Sequence, residues 1–285
     1  MRFLYLTDFH GNKAAYEAAF RLAVSSGCQA VVNGGDALPN DIDFNFAMVQ
    51  RHFFETWLLP RMAELACSGI RNYMMFGNDD AQSIIGLLEE ADSQGIATRF
   101  DGRGWRSFGD YWILGFPYVP DYAFRQKDWC HGDTDRNPCA EQLGSPLGSG
   151  EKDYVPYNRP WNEELQDRPS LSEMLRDLPL SPDPDRSIFC MHAPPHGIGL
   201  DVCFDHRLAG SMAGKEHILD RQYLLSLHGH IHESPRMTGR WHGELGKTIC
   251  VQPGSWPPVP VLIDLDARSV THPILGLLDF HPGRK

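Results

Sequence analysis

Apolar residues in the first half of the chain fall in short runs separated by stretches of helical spacing. Phe3–Thr7 is such a run, broken by Asp8–Asn12. Lys13–Ser25 then carries Ala15, Ala18, Ala19 and Leu22 on one side, which predicts a helix stopped at Gly27 and capped at its start by Asn12. Ala30–Val32 predicts a second strand, ended by Gly34, Gly35 and Asp36. Phe44–Cys67 reads as helical with an interruption at Pro60. Asn72–Phe76 predicts a third strand closed by Gly77, and Ala81–Glu90 a further helix, with a cap as the ordinary structural use of Asp80. Tyr111–Phe116, Ser187–Met191, Tyr223–Leu227, Thr248–Val251 and Val259–Leu265 are later strand candidates, with a helix near Ala213–Asp220. Strand–loop–helix alternation of this kind predicts a parallel or mixed sheet covered by helices. The stretch from Pro117 to Asp185 breaks the rhythm. It is rich in Pro, Gly, Asp and Arg and reads as a long insertion, at about 117–185, in one domain spanning 1–285. No internal repeat and no linker interrupts this organisation.

Composition narrows the class. The 285 residues are 42% hydrophobic and 22% charged, enough to bury an ordinary core without disulfides. The formal charge of −11 disfavours duplex nucleic acid and anionic membrane surfaces as partners. No apolar run reaches the ~18 residues of a membrane span, and Phe3–Leu6 is too short for a signal peptide. Seven cysteines at irregular spacing form no disulfide framework, and Cys28, Cys190 and Cys250 read as small core residues. A cytoplasmic protein is the default expectation.

The chemistry lies in the polar residues directly after each run. Asp8-Phe9-His10 comes after the first, Gly35-Asp36 after the second, and Gly77-Asn78-Asp79-Asp80 after the third. His192 succeeds Ser187–Met191, and His228-Gly229-His230-Ile231-His232 succeeds Tyr223–Leu227. Five strand ends in one sheet would thus deliver carboxylate, amide and imidazole groups to a single rim, where α/β sheets gather ligands. Such an oxygen and nitrogen donor set suits Zn, Mn or Fe in a hydrolytic site. One carboxylate can bridge two ions about 3.5–4 Å apart, the spacing that lets two metals activate water and clamp an anionic substrate. Taken singly, each residue has an ordinary structural use. Asp8 would serve as a loop cap, Asp36 as a turn residue, and His10 as a surface or core histidine. Joint placement after five predicted strands is what points to a metal centre.

In this order the motifs Asp8-x-His10, Gly35-Asp36, Gly77-Asn78, His192 and Gly229-His230-x-His232 resemble the calcineurin-like metallophosphoesterase superfamily. Amidohydrolases open with His-x-His, which here comes last. Within the superfamily, Lys127-Asp128-Trp129, His192-Ala193-Pro194-Pro195-His196-Gly197, Asp201, Gly210-Ser211 and Pro253-Gly254-Ser255 are similar to the Icc-related predicted phosphoesterases. The resemblance implies a four-layer α-β-β-α sandwich of two mixed sheets flanked by helices, and two divalent ions (Mn, Fe, Zn or Ni). By the same resemblance, Asp8, His10 and His232 would hold one ion and Asn78, His192 and His230 the other. Asp36 would bridge them, a bridging hydroxide would attack a phosphate ester, and His228 would be structural. One position departs from the pattern. Many members carry His after the Asn of the third motif, where this chain has Asp79. A carboxylate donates a proton only if its pKa is raised, and nearby cations lower it. Asp79 and His196 are therefore the two candidate proton donors, and a phosphodiester, which needs less leaving-group help, is the expected substrate class. A phosphomonoesterase and a non-catalytic scaffold of the same fold are the alternatives. Members of the protein-phosphatase branch resemble one another in an Asp-Arg-Gly segment and a Gly-Asn-His-Glu third motif, and Ala37-Leu38-Pro39-Asn40-Asp41 and Gly77-Asn78-Asp79-Asp80 argue against that branch here.

The insertion reads as a lid or specificity wall. Arg125, Lys127, Arg136 and Lys152 are candidate phosphate contacts, although loop charges are ordinarily solvated. Trp129, Tyr154, Tyr157 and Trp161 are candidates for stacking, although loop aromatics more often pin a loop to the body. Cys130, His131 and Cys139 invite a metal reading, but supply only three donors, which argues against a structural zinc site. The expected partner is a small phosphorylated molecule, with neither duplex nucleic acid nor membrane involved; the oligomeric state stays open.

Overall fold

The computed structural model describes residues 1–40, 46–102, 104–134 and 139–280. Its first three apolar runs become adjacent parallel strands, Arg2–Leu6, Ala30–Gly34 and Arg71–Met75, with Phe3 opposite Ala30 and Val32 opposite Tyr73. They are buried almost throughout, which is why they read as continuous apolar runs rather than as alternation. Antiparallel strands Val261–Asp264, Ser269–His272 and Gly276–Asp279 extend this sheet on one side and Thr98–Arg99 closes the other, giving seven strands. The second sheet has six strands. Its centre is parallel: Tyr111–Phe116, Ser187–Met191, Leu225–Leu227 and Thr248–Val251. His242–Leu245 and Arg106–Phe108 flank it antiparallel.

Three hydrophobic layers hold the sheets and helices together. Leu4, Leu6, Val31 and Met74 face Tyr16, Phe54, Leu58 and Leu88 of the helices on the outside of the first sheet. Phe3, Tyr5, Val32, Met75, Ile188, Leu225 and Val261 fill the space between the sheets. Phe189, Met191 and Cys250 pack under Leu171, Ala213 and Ile218 on the far side of the second. The outcome is the four-layer α-β-β-α sandwich. Cys28, Cys190 and Cys250 each lie in a different one of the three layers, as small buried residues. Among the described residues, no helix is long and apolar enough to cross a membrane.

Several expectations are revised. The five ligand-bearing strands are split, three in one sheet and two in the other, so the rim joins two sheets rather than edging one. The first helix buries Tyr16, Ala19 and Ala23, and Ala18 is exposed, because the large Tyr16 ring turns the helix toward Phe53 and Trp57. Asn12 does cap it, accepting from the Ala15 amide at 3.0 Å. In the described part of the 44–67 segment, the helix runs from Phe46 to Phe53 and resumes at Leu59 to Cys67. The break is a five-residue π turn, Phe54–Leu58, ending just before Pro60, which has no amide hydrogen for the regular ladder. After the third strand comes a single 3₁₀ turn, Gln82–Ile84, then a helix from Ile85 to Ser93. Asp80 does not cap it; Gln82 and Ser83 instead donate their amides to Asp128 Oδ2 and Ser149 Oγ of the insertion, at 2.8 and 2.9 Å.

The described residues of that insertion are folded. Val119–Pro120 pairs with Cys130–His131 and Leu147–Ser149 with Tyr154–Pro156; two short helices, Trp161–Gln166 and Leu171–Arg176, come next. Lys127 is fully buried. Its ammonium binds Asp121 Oδ1 at 2.9 Å and the Tyr122 carbonyl, and it lies 4.6 Å from the Tyr122 ring centre. It is therefore engaged in holding the loop and does not face a substrate. Trp161 donates to the same Asp121 oxygen at 3.0 Å, and Trp129 donates to the Asp80 carbonyl at 2.6 Å. The aromatic residues pin the loop to the body. Cys139 turns its thiol to Asp121 Oδ2, and the His131 Nδ1 faces the Pro169 carbonyl at 2.8 Å, so each has a partner of its own within the insertion. Arg136 lies outside the described residues.

His217 illustrates how the core responds to acid. It is buried against Phe189 with Nε2 2.9 Å from the Tyr223 hydroxyl. Burial, then the nearby Arg221, push its pKa down to about 4. The unfolded chain takes up this proton near pH 6.5 and the folded one does not, so stability is complete above pH 6.5 and falls as pH drops toward 4, by about 1.4 kcal/mol per unit. In urea denaturation, His217→Gln should lose about 2 kcal/mol less than the wild type between pH 7 and 5.

Candidate metal centre

Each candidate ligand sits where a strand ends and the backbone turns sharply. Asp8, His10, Asp36 and His230 all have positive φ, between 44 and 68°. Asp and His tolerate the left-handed region better than most residues, yet four such positions in one place store strain, of order 1–3 kcal/mol each. The turns work because they let residues two apart aim at one cavity. Glycines make room for them. A Cβ on Gly77 would overlap Asp36, one on Gly229 would overlap Thr7 Oγ1 and Asp8, and one on Gly35 would lie 2.7 Å from His192 Nδ1.

All seven side chains come together. Asp8, His10, Asp36 and His232 each offer a ligand atom within 4.8 Å of the others. His10 Nε2 and His232 Nε2 are 3.0 Å apart, and His232 Nε2 is 3.5 Å from Asp8 Oδ1. The remaining three converge on Asn78 Oδ1: His192 Nε2 at 3.0 Å and His230 Nδ1 at 2.6 Å. Asp36 lies between the two groups, its Oδ2 3.3 Å from His192 Nε2 and 4.0 Å from His10 Nε2. His192 is fixed by its Nδ1 against the Gly34 carbonyl at 2.9 Å, and Asp8 Oδ1 accepts from the His230 amide at 3.0 Å. The backbone itself thus sets the ligand directions. His228 points elsewhere, its Nδ1 against the carbonyls of Met191 and Ala193, as a structural residue would.

The electrostatics call for a cation. Asp8 and Asp36 are 0 and 1% exposed, and paired buried carboxylates are unfavourable without compensating positive charge. Burial raises both, but the imidazoles of His232 and His192 outweigh it and hold the carboxyls below their usual range. Reciprocally, burial works against charging His192 and His232, yet Asp36 and Asp8 push them up to about 10 and about 9. The protons stand where positive charge is required. Among the described residues, Asp8 Oδ2 and His10 Nδ1 are buried with no hydrogen-bond partner. His230 is the opposite case: burial and the neighbouring His192 drive it down to about 3, leaving a neutral imidazole. Orphaned carboxylate oxygen, neutral imidazole and an amide oxygen together fit a divalent metal ion.

The two candidate acids are separated. Asp79 borders the cluster, with Oδ2 3.9 Å from His10 Nδ1, and accepts from Asn78 Nδ2 and Asn40 Nδ2, each at 2.9 Å. Burial and then Asp36 raise its pKa. His196 instead packs its Nδ1 3.3 Å from Asp201, a fully buried carboxylate. Three supporting residues escape a sequence reading. Gln50 ties Pro39, Asp79 and Ala81 together through its buried amide. A polar residue on the apolar side of a predicted helix is the signal that would have found it. Asn40 and Tyr122, whose hydroxyl is 3.4 Å from Asn78 Nδ2, give no such signal.

Glycine substitution tests this packing. Gly229→Ala should lose about 1–3 kcal/mol in chemical denaturation through overpacking against Asp8. Gly86→Ala, in a helix with open space around it, should gain about 0.5–1 kcal/mol.

No curated protein matches the chain in sequence. Among solved structures, the crystal structure of TT1561 of Thermus thermophilus is 17% identical, with 97% of this chain and 96% of that chain covered and a TM-score of 0.51. Another crystal structure is 16% identical, with 98 and 99% covered and a TM-score of 0.57. Both share the fold. The family model for calcineurin-like phosphoesterases matches residues 1–234, which contain all seven converging side chains. The chain therefore belongs to the calcineurin-like phosphoesterase family, whose members are divalent-metal-dependent phosphoric ester hydrolases.

Proposed function

We propose that the protein is a cytoplasmic, dinuclear metal-dependent phosphodiesterase acting on a small phosphorylated molecule. In this reading Asp8, His10 and His232 hold one ion, Asn78, His192 and His230 the other, and Asp36 joins the two. The observation that supports it best is the position of Asp36, whose single oxygen Oδ2 is within 4.0 Å of an imidazole from each group. Two divalent ions, if held by these residues, would supply an activated water and positive charge for the phosphate oxygens. The surrounding chain does the rest. The parallel strands hold the ligand atoms rigidly, and the insertion, folded onto one domain, walls the site.

The substrate class is argued from proton supply. Asp79 has both carboxylate oxygens accepting from amides, an arrangement that favours its ionised form and opposes the rise that burial causes. His196 is the other donor considered, with Asp201 orienting its ring. Neither replaces an imidazole directly beside Asn78. A substrate with a good leaving group or a diester asks least of such a site, and this favours phosphodiesterase over phosphomonoesterase activity.

With Mn²⁺, Fe²⁺, Zn²⁺ or Ni²⁺ restored, elemental analysis should find two ions per chain and an activated aryl phosphodiester should be hydrolysed faster than the corresponding monoester. Asp36→Asn should lower that rate by more than about 10³-fold, beyond the effect of removing one neutral electrostatic donor. Undiminished turnover in the variant would remove the dinuclear mechanism, and wild-type protein that retains no metal would favour a scaffold.

A further inference from the structure

A side-chain amide has two unlike ends, and which end faces a cation decides whether it can be a ligand at all. At Asn78 the oxygen end faces His192 Nε2 and His230 Nδ1, at 3.0 and 2.6 Å. The nitrogen end faces two oxygens. Asp79 Oδ1 accepts at 2.9 Å, and the Tyr122 hydroxyl oxygen lies at 3.4 Å. Tyr122 gives its own proton to the Gln126 carbonyl at 2.6 Å, so its oxygen is left as an acceptor. Reversing the Asn78 amide would set its carbonyl oxygen against the Asp79 carboxylate and turn NH₂ toward the imidazoles and the cation. The first change is repulsive, and the second replaces a lone-pair donor by an NH₂ group that cannot hold a cation.

Asp79 is itself held at every polar point. Its amide donates to Asp36 Oδ1 at 2.8 Å, its carbonyl accepts from Gln50 at 2.7 Å, and its second carboxylate oxygen accepts from Asn40 at 2.9 Å. Tyr122 is equally fixed from behind, since the buried Lys127 binds Asp121 and the Tyr122 carbonyl and lies over the Tyr122 ring. That ring also rests 5.7 Å from His230. Two rigid supports from different parts of the chain thus meet on one amide.

We infer that Asp79 and Tyr122 are positioning residues, which hold the Asn78 amide with its oxygen toward His192 and His230 and so set the affinity of the second cation. The inference rests on the dinuclear reading above and deepens it. The carboxylate at position 79 then serves ligand orientation, and the insertion reaches the centre to complete a metal site. Partners of this kind are worth about 10–100-fold in metal affinity.

Equilibrium dialysis against Mn²⁺ with elemental analysis tests it. Tyr122→Phe should weaken the second ion about tenfold and Asp79→Asn by up to about 100-fold, with the first ion unchanged. The discriminating arm is Asn78→Asp, whose carboxylate presents oxygen at either end and needs no orienting. In that background Tyr122→Phe should have no effect, whereas a merely structural role would weaken binding equally in both. Unchanged second-ion affinity in both single variants, or an undiminished loss in the Asn78→Asp background, overturns the inference. Failure of the dinuclear reading is seen separately, as fewer than two ions in the wild type. The metal-free protein still decides the orientation: the Asn78 side-chain amide protons should exchange slowly with solvent in the wild type and faster in Asp79→Asn. Exchange in the wild type as fast as for an exposed asparagine overturns the inference regardless of metal.

Discussion

Two carboxylates buried side by side set the terms for this molecule. Asp8 and Asp36 are cut off from solvent, each raises the cost of ionising the other, and both are surrounded by low-dielectric protein. Such a pair persists only if positive charge is delivered to it from close range. The fold meets that requirement from several directions. His192 and His232 face the carboxylates, backbone amides of His230 and Asp79 donate to them, and Asp8 keeps an oxygen without a hydrogen-bond partner among the described residues.

Delivering those groups demands unusual backbone. A ligand two residues from another can enter the same cavity only where the chain leaves its strand and reverses, and here it does so through left-handed conformations at Asp8, His10, Asp36 and His230. The strain is absorbed by the parallel strands beneath, which are buried on both faces and cannot yield without opening the core. Gly35, Gly77 and Gly229 bring the turns into contact with one another, since a side chain at any of them would occupy the space of a ligand. The same crowding carries outward. Asp80 collects the amides of Ala37, Leu38 and Gly77, joining the second and third turns, and burial followed by Asp36 raises its pKa to about 8.

The insertion belongs to this arrangement. Lys127, Asp121 and Trp161 form a buried charged and aromatic knot that fixes Tyr122 against the Asn78 amide. Asp128 and Ser149 reach the amides at the start of the 3₁₀ turn after the third motif. A segment whose composition suggests a solvated loop is thus a support for the candidate metal centre, through buried groups that a count of charges does not separate from exposed ones.

The amino-acid sequence by itself determined the strands and the chemistry at their ends. Continuous apolar runs such as Phe3–Thr7 and Ser187–Met191 have no solvent face and so announce buried parallel strands, and carboxylate, amide and imidazole groups directly after them mark the rim. Boundaries faltered where local pattern is silent: the π turn before Pro60 depends on which face of the helix packs, and Asp80 was drawn from a helix cap to distant amides. What only the tertiary structure decided is the distribution of the five strands that carry candidate ligands over two sheets, and the side chains packed around those candidates. Periodicity records whether a residue is buried but not against what. Lys127, Tyr122, Asn40 and the orientation of the Asn78 amide acquire their meaning from neighbours far away in the chain, which no local spacing encodes.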